Sequence, residues 1–154
     1  MNANPAAKSY FHTKIMTANP EELRLMLYDG AIKFCAQAKE AMDKKDVEAS
    51  YHALTRAQKI VLELSTSLKH DEAPELCDKL AALYTFIYRR LIDANINRDV
   101  SAIHEALDLL QYEKETWQLL MHRLAEEIGS SESVDRLDLN GAQQTAISSL
   151  STNA

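Results

Sequence analysis

From Pro20 onward, apolar residues recur at intervals of three and four, the spacing of helices that bury one face. A first segment, about residues 20–43, carries Leu23, Leu27, Phe34, Ala38 and Ala41 before "DKKD" interrupts it. A second, about 46–69, carries Val47, Tyr51, Leu54, Val61, Leu64 and Leu68, and "KHDEAPE" ends it. A third, about 73–96, has Leu76, Leu80, Leu83, Ile87, Leu91 and Ala94 and stops at "NINRD". The fourth, about 99–128, has Val100, Ile103, Leu107, Leu110, Trp117, Met121, Leu124 and Ile128, nearly a heptad repeat with Lys114 as a polar gap.

Punctuation agrees with these bounds. In "TANPEEL" Asn19 suits an N-cap, Pro20 the first helical position, and Glu22 the reciprocal cap three residues on. Glu21 and Glu22 also favour the positive end of the helix dipole. Gly129 is the expected C-terminal stop. Four helices joined by short loops pack against their neighbours in sequence. The expected fold is all-α, an elongated antiparallel up-down four-helix bundle over 19–128. An extended N-terminal arm, 1–18, precedes it, and a flexible or loosely docked tail, 129–154, follows. In that Ser- and Asn-rich tail, Val134, Leu137, Ile147 and Leu150 are the residues expected to make weak apolar contacts.

Gly30 is the only glycine in the first 128 residues, yet it lies inside the first helix, where glycine costs about 1 kcal/mol relative to alanine. On the helical wheel it falls with Leu23, Leu27 and Phe34. The reading is a close approach of a facing helix or ring, so that Gly30→Ala is expected to destabilise.

A chain of 154 residues forms one domain with a substantial core. Its net charge of −6, with scattered Lys and Arg, argues against sequence-independent nucleic-acid binding. The N-terminus lacks the apolar stretch of a secretory signal, and no run approaches a membrane span. Cys35 and Cys77, far apart within helical patterns, read as small buried hydrophobes.

Chemistry leaves few marks. A di-metal bundle requires Glu-x-x-His on two helices, and the chain has none. His12, His52, His70, His104 and His122 form no zinc pattern, and Glu48 with His52 reads as a surface pair. No catalytic residue, metal or cofactor is expected. A metal or phosphotransfer bundle enzyme stays open only through the fold class.

The feature that stands out is surplus apolar surface. With Leu23, Leu27 and Phe34 turned inward, Leu25, Tyr28 and Ile32 fall almost opposite. In the third helix Cys77, Ala81, Tyr84, Tyr88 and Ile92 form a stripe beside the core positions. Two readings stand: a wide core contact with buried tyrosine rings, or a groove for an apolar helical segment of a partner.

The blocks "TANPEELRLMLYDGAIKFCAQAKEAM", "RAQKIVLELSTSL", "LYTFIYRRLIDANINRD" and "LDLLQYEKETW" resemble, in order and spacing, the flagellar secretion chaperone family FliS. The resemblance covers about residues 10–120. Tyr112 and Lys114 depart from it, since an Arg is expected before the Trp, and the tail has no counterpart. It implies a cytoplasmic chaperone that binds the disordered C-terminal segment of flagellin, prevents premature polymerisation and presents it to the type III export gate FlhA. It also implies contact, in some relatives, with an anti-sigma factor or FliW, which leaves a regulator of flagellar gene expression as the alternative. Carried over by position, the flagellin-binding residues are Leu25, Tyr28, Ile32, Tyr84, Tyr88, Leu91, Ala94 and Asn95. Tyr10 and Ile15 are the arm residues expected to cover that surface in the free protein. The tail, chemically like a flagellin tail, is a further candidate for competing there.

Overall fold

The computed structural model describes residues 4–152, with side chains through Ser131. The described chain is all-helical, without a strand: α1 (Pro5–Thr17), α2 (Pro20–Asp43), α3 (Val47–Thr66), α4 (Pro74–Asn97) and α5 (Val100–Thr152). No helix among the described residues is long and apolar enough to cross a membrane.

The start of α2 is the capping box expected from "NPEE". Asn19 Oδ1 accepts from the Glu22 amide at 2.8 Å, and the Asn19 amide donates to Glu22 Oε2 at 3.3 Å. At the far end the chain turns without glycine. Lys45 takes a left-handed φ of 57°, and the Asp46 amide donates to the Ala41 carbonyl at 2.8 Å. Asp46 then caps α3 through the Ala49 amide at 3.0 Å. Arg98, at φ 54°, makes the same kind of corner after α4. Its guanidinium donates to Ser50 Oγ at 2.8 Å, and that buried hydroxyl in turn donates to the Val47 carbonyl at 2.9 Å.

Two sequence expectations change. The arm is helical: Asn4 caps it through the Ala6 amide, Pro5 occupies the first turn, and Ala6, Ala7 and Lys8 are good helix formers. Gly129 does not end the last helix, which continues to Thr152. A helix interior tolerates one glycine at about 1 kcal/mol, and none of the described glycines has a positive φ. The contacts expected of Val134, Leu137, Ile147 and Leu150 lie outside the residues whose side chains are described.

The chain divides into two compact units, one ending at Trp117 and the other beginning at Gln118. The core belongs to the first. It joins Tyr28, Ala31, Cys35 and Ala38 of α2 to Leu54, Ala57, Val61 and Leu64 of α3, to Tyr84, Ile87, Leu91 and Ala94 of α4, and to Ala102, Ile103, Ala106 and Leu110 of α5. The inward face of α2 is therefore centred on Tyr28, Ala31 and Cys35, with Leu27 and Phe34 half-buried on its flank. Small residues line this face because α2 and α3 come into close contact along it. Both cysteines are free and buried, and burial pushes the Cys35 thiol up to about 12, which keeps it unreactive.

Gly30 sits on the flank facing α3, where an added Cβ meets Ile60 Cδ1 at 3.0 Å. The obstacle is one terminal methyl on a rotatable side chain. Gly30→Ala therefore changes stability by less than about 1 kcal/mol, because the helix-propensity gain offsets the contact. Ile60→Val deletes that methyl. In urea unfolding, Gly30→Ala is expected to be more favourable in the Ile60→Val background than in the parent, while Gly30→Leu costs roughly 1–3 kcal/mol in the parent.

Candidate partner-binding surface

Four of the residues expected to meet a partner lie inside the core. Tyr28, Tyr84, Leu91 and Ala94 are buried. Leu25, Ile32, Tyr88 and Asn95 are half-buried, and Ile32 and Tyr88 pack against the core from its margin. Tyr10 and Ile15 are exposed, and α1 buries none of its residues.

The two tyrosines are buried because they satisfy each other. Their hydroxyl oxygens lie 2.5 Å apart, and Arg24 Nη1 donates to Tyr84 Oη at 3.2 Å. Arg24 Nη2 donates to Ser67 Oγ at 3.0 Å, and the guanidinium lies 5.2 Å from the centre of the Trp117 ring. The Trp117 indole N–H donates to the Glu21 carbonyl at 3.2 Å. One cluster thus ties α2, α3, α4 and α5 together near the start of α2. Desolvation raises the Tyr28 and Tyr84 hydroxyls above the ordinary tyrosine range, so both remain neutral.

Glu113 of α5 acts on both tyrosines through its charge, and its own carboxyl is raised by desolvation. The folded state therefore holds this proton more tightly than the unfolded chain. The associated stability is present below the ordinary glutamate range and is lost as pH rises through the raised folded value. Glu113→Gln is expected to increase the urea midpoint at neutral pH and to leave it unchanged in acid below the glutamate range.

Contacts between helices assign the flanks. Ile60 meets Gly30, and the Arg56 guanidinium lies 5.5 Å from the Phe34 ring centre, so that flank of α3 faces α2. Tyr51, Gln58 and Leu62 occupy the opposite flank. On α4, Arg90 Nε donates to Glu105 Oε2 at 2.8 Å, which turns its flank toward α5. Ala81, Tyr88 and Ile92 lie on the other side, toward α3, and Ile96, half a turn of the wheel from Ile87, stands at their solvent edge.

Register follows from the helix ends. Arg98 reaches Ser50, and Cys77 Sγ donates to the Lys69 carbonyl at 3.3 Å. These pairings set Tyr51 level with Ile96, and Leu62 level with Thr85. Tyr51 is 52% exposed, Leu62 53% and Ile96 73%; Tyr88 and Ile92 lie half-buried between them. The result is a strip of exposed and half-buried apolar side chains along the α3–α4 seam, with Gln58 and Thr85 as its polar breaks.

Leu25 and Ile32 lie elsewhere. Their flank of α2 holds Asp29, paired with Lys114 Nζ of α5 at 2.5 Å. The α2 and α4 residues expected to share a site therefore line different seams. Tyr51, Leu62 and Ile96 were missed as seam residues because Tyr51 fits the core spacing of its own helix. The signal for them is the pairing of two flanks, which no single helical wheel contains. Among the described residues, no group of three His, Cys, Asp or Glu is placed to hold a metal ion.

The family model described as "Flagellar protein FliS" matches residues 2–124. A flagellar secretion chaperone FliS of Bacillus subtilis (strain 168) is 34% identical over 110 residues, covering 71% of this chain and 81% of the relative. The Salmonella typhimurium (strain LT2) protein of the same name is 34% identical over 105 residues, covering 68% and 78%. The solved structure described as "Crystal structure of flagellar chaperone from bacteria" superposes with a TM-score of 0.64 at 21% identity, covering 77% of this chain and 99% of that one.

Proposed function

We propose, from the premise that this chain belongs to the FliS family of flagellar secretion chaperones, that its client is the C-terminal segment of flagellin. The segment docks as an amphipathic helix along the α3–α4 seam. The observation that carries this reading is the exposure of Tyr51, Leu62 and Ile96 along that seam in the free chain. A client helix presenting apolar residues at three- and four-residue intervals matches such a seam. Covering those residues prevents the client from polymerising early, and delivery to the export gate FlhA in the cytoplasm follows. The ordering cost of a disordered client limits affinity and favours release.

We read the scaffold as an antiparallel up-down arrangement of α2, α3, α4 and the first part of α5. The end-to-start contacts Arg24–Ser67, Arg98–Ser50 and Trp117–Glu21 support that reading. Leu25 and Ile32 offer a second place for a wrapping client on the α2–α5 seam. Tyr10 and Ile15, on a helix joined through the extended residue Ala18, are within the reach of an arm that competes with client.

Calorimetric titration with a peptide of the flagellin C-terminal segment tests the reading. Saturable binding in the micromolar range or tighter supports it; a folded chain with no detectable heat at tens of micromolar overturns it.

A further inference from the structure

The family match ends at residue 124, whereas α5 runs on to Thr152. Within the second unit, the described part of this helix carries an apolar stripe that nothing buries. Leu120 is 43% exposed, Leu124 42% and Ile128 60%, and Met121 lies beside them half-buried. Their spacing places all four on one side of the helix. A stripe of this kind, without a cover, marks an interaction surface.

The charges beside it identify the occupant. Arg123 and Glu127 fall on one flank of the stripe. His122 and Glu126 lie on the face turned away from it, where they pair with each other at 3.2 Å. Along the flank, positive charge precedes the stripe's centre at Leu124 and negative charge follows it. A parallel two-fold copy sets this flank beside the stripe's other flank, Gln118 and Ala125, where no charge answers it. An antiparallel copy sets each Arg123 beside the other copy's Glu127, twice by symmetry. With Leu124 opposite itself, Leu120 lies opposite Ile128, so the apolar residues are matched as well. The stretch is complementary to itself in one direction only.

We propose that residues 118–131 of α5 pair antiparallel with the same stretch of a second copy of this chain. The contact is isologous, so it closes at a dimer. Its short stripe makes the association reversible and concentration-dependent, with the flanking charges setting direction.

Sedimentation equilibrium of the full chain tests this. The parent is expected to move from one to two chain masses as concentration rises through the high-micromolar range. Leu124→Glu is expected to remain at one chain mass with unchanged far-ultraviolet circular dichroism. Arg123→Glu and Glu127→Arg each place like charges across the pair and weaken association at least several-fold. Mixing those two variants restores it, because each then supplies the charge that the other lacks. A parent that stays monomeric overturns the proposal, as does a dimer that survives Leu124→Glu. Single variants whose mixture associates no better than either alone overturn the antiparallel pairing.

Discussion

Tyr84→Ala should be the most damaging single substitution in the helical core. It removes a fully buried ring, which costs about 3–5 kcal/mol in a close-packed interior. It also strips the buried Tyr28 hydroxyl of its hydrogen-bond partner and Arg24 of one acceptor. Against a total stability of roughly 5–15 kcal/mol for a domain, this leaves a thin margin. The expected readout is a thermal midpoint lower by on the order of 10–20 °C. Tyr84→Phe separates the two contributions: the ring stays, and the loss is about 1–3 kcal/mol for the unpaired hydroxyl. Tyr28→Phe with Tyr84→Phe is expected to cost less than the sum of the single changes, because neither hydroxyl is then stranded. Additive losses would show that the pair is not coupled.

The second large effect concerns binding. Ile96→Glu at the α4 edge of the strip is expected to weaken flagellin-peptide binding at least about tenfold, equivalent to ~1.4 kcal/mol, since it sets an ionised group where the client's apolar face must dock. Tyr51→Glu, level with it on α3, should act in the same direction. Both positions are exposed, so neither change should move the thermal midpoint by more than a few degrees. Phe86→Glu is the control. Phe86 is also an exposed apolar residue of α4, but it projects from the face away from the seam. Equal losses at Phe86 and Ile96 would assign the effect to net charge and remove the strip from consideration.

The two cases mark what was legible in the sequence. The start of α2 was readable because its capping box is local chemistry, complete within four residues. The buried stripe of α4, through Ile87, Leu91 and Ala94, was readable because its large side chains keep an unbroken helical period. The orientation of α2 was not. Its innermost positions include Ala31, Cys35 and Ala38, whose small side chains add little to any hydrophobic pattern, while Leu23 and Phe34 add a great deal from the flank. Helices approach most closely where residues are smallest, so the heaviest stripe can miss the seam. Tyr28 was assigned outward for that reason, and its hydroxyl finds a partner only 56 residues away, on another helix. Gly30 was correctly read as a place of close approach, but its neighbour is a methyl that can rotate, which a wheel cannot reveal. The strip demanded more than any periodicity supplies, because it exists only once α3 and α4 are set in register by their ends.

Trp117, the chain's only tryptophan, joins residues at opposite ends of the first unit's sequence through its bond to Glu21 and its contact with Arg24. Helices form in about a microsecond, whereas closing a contact across 96 residues waits on the whole chain. The ring therefore reports when the two ends of the first unit's helical sequence meet. On a ribosome the indole emerges only after α2, α3 and α4 have been made, so the Arg24 cluster cannot close until synthesis has passed it. Its fluorescence times that closure without an added label.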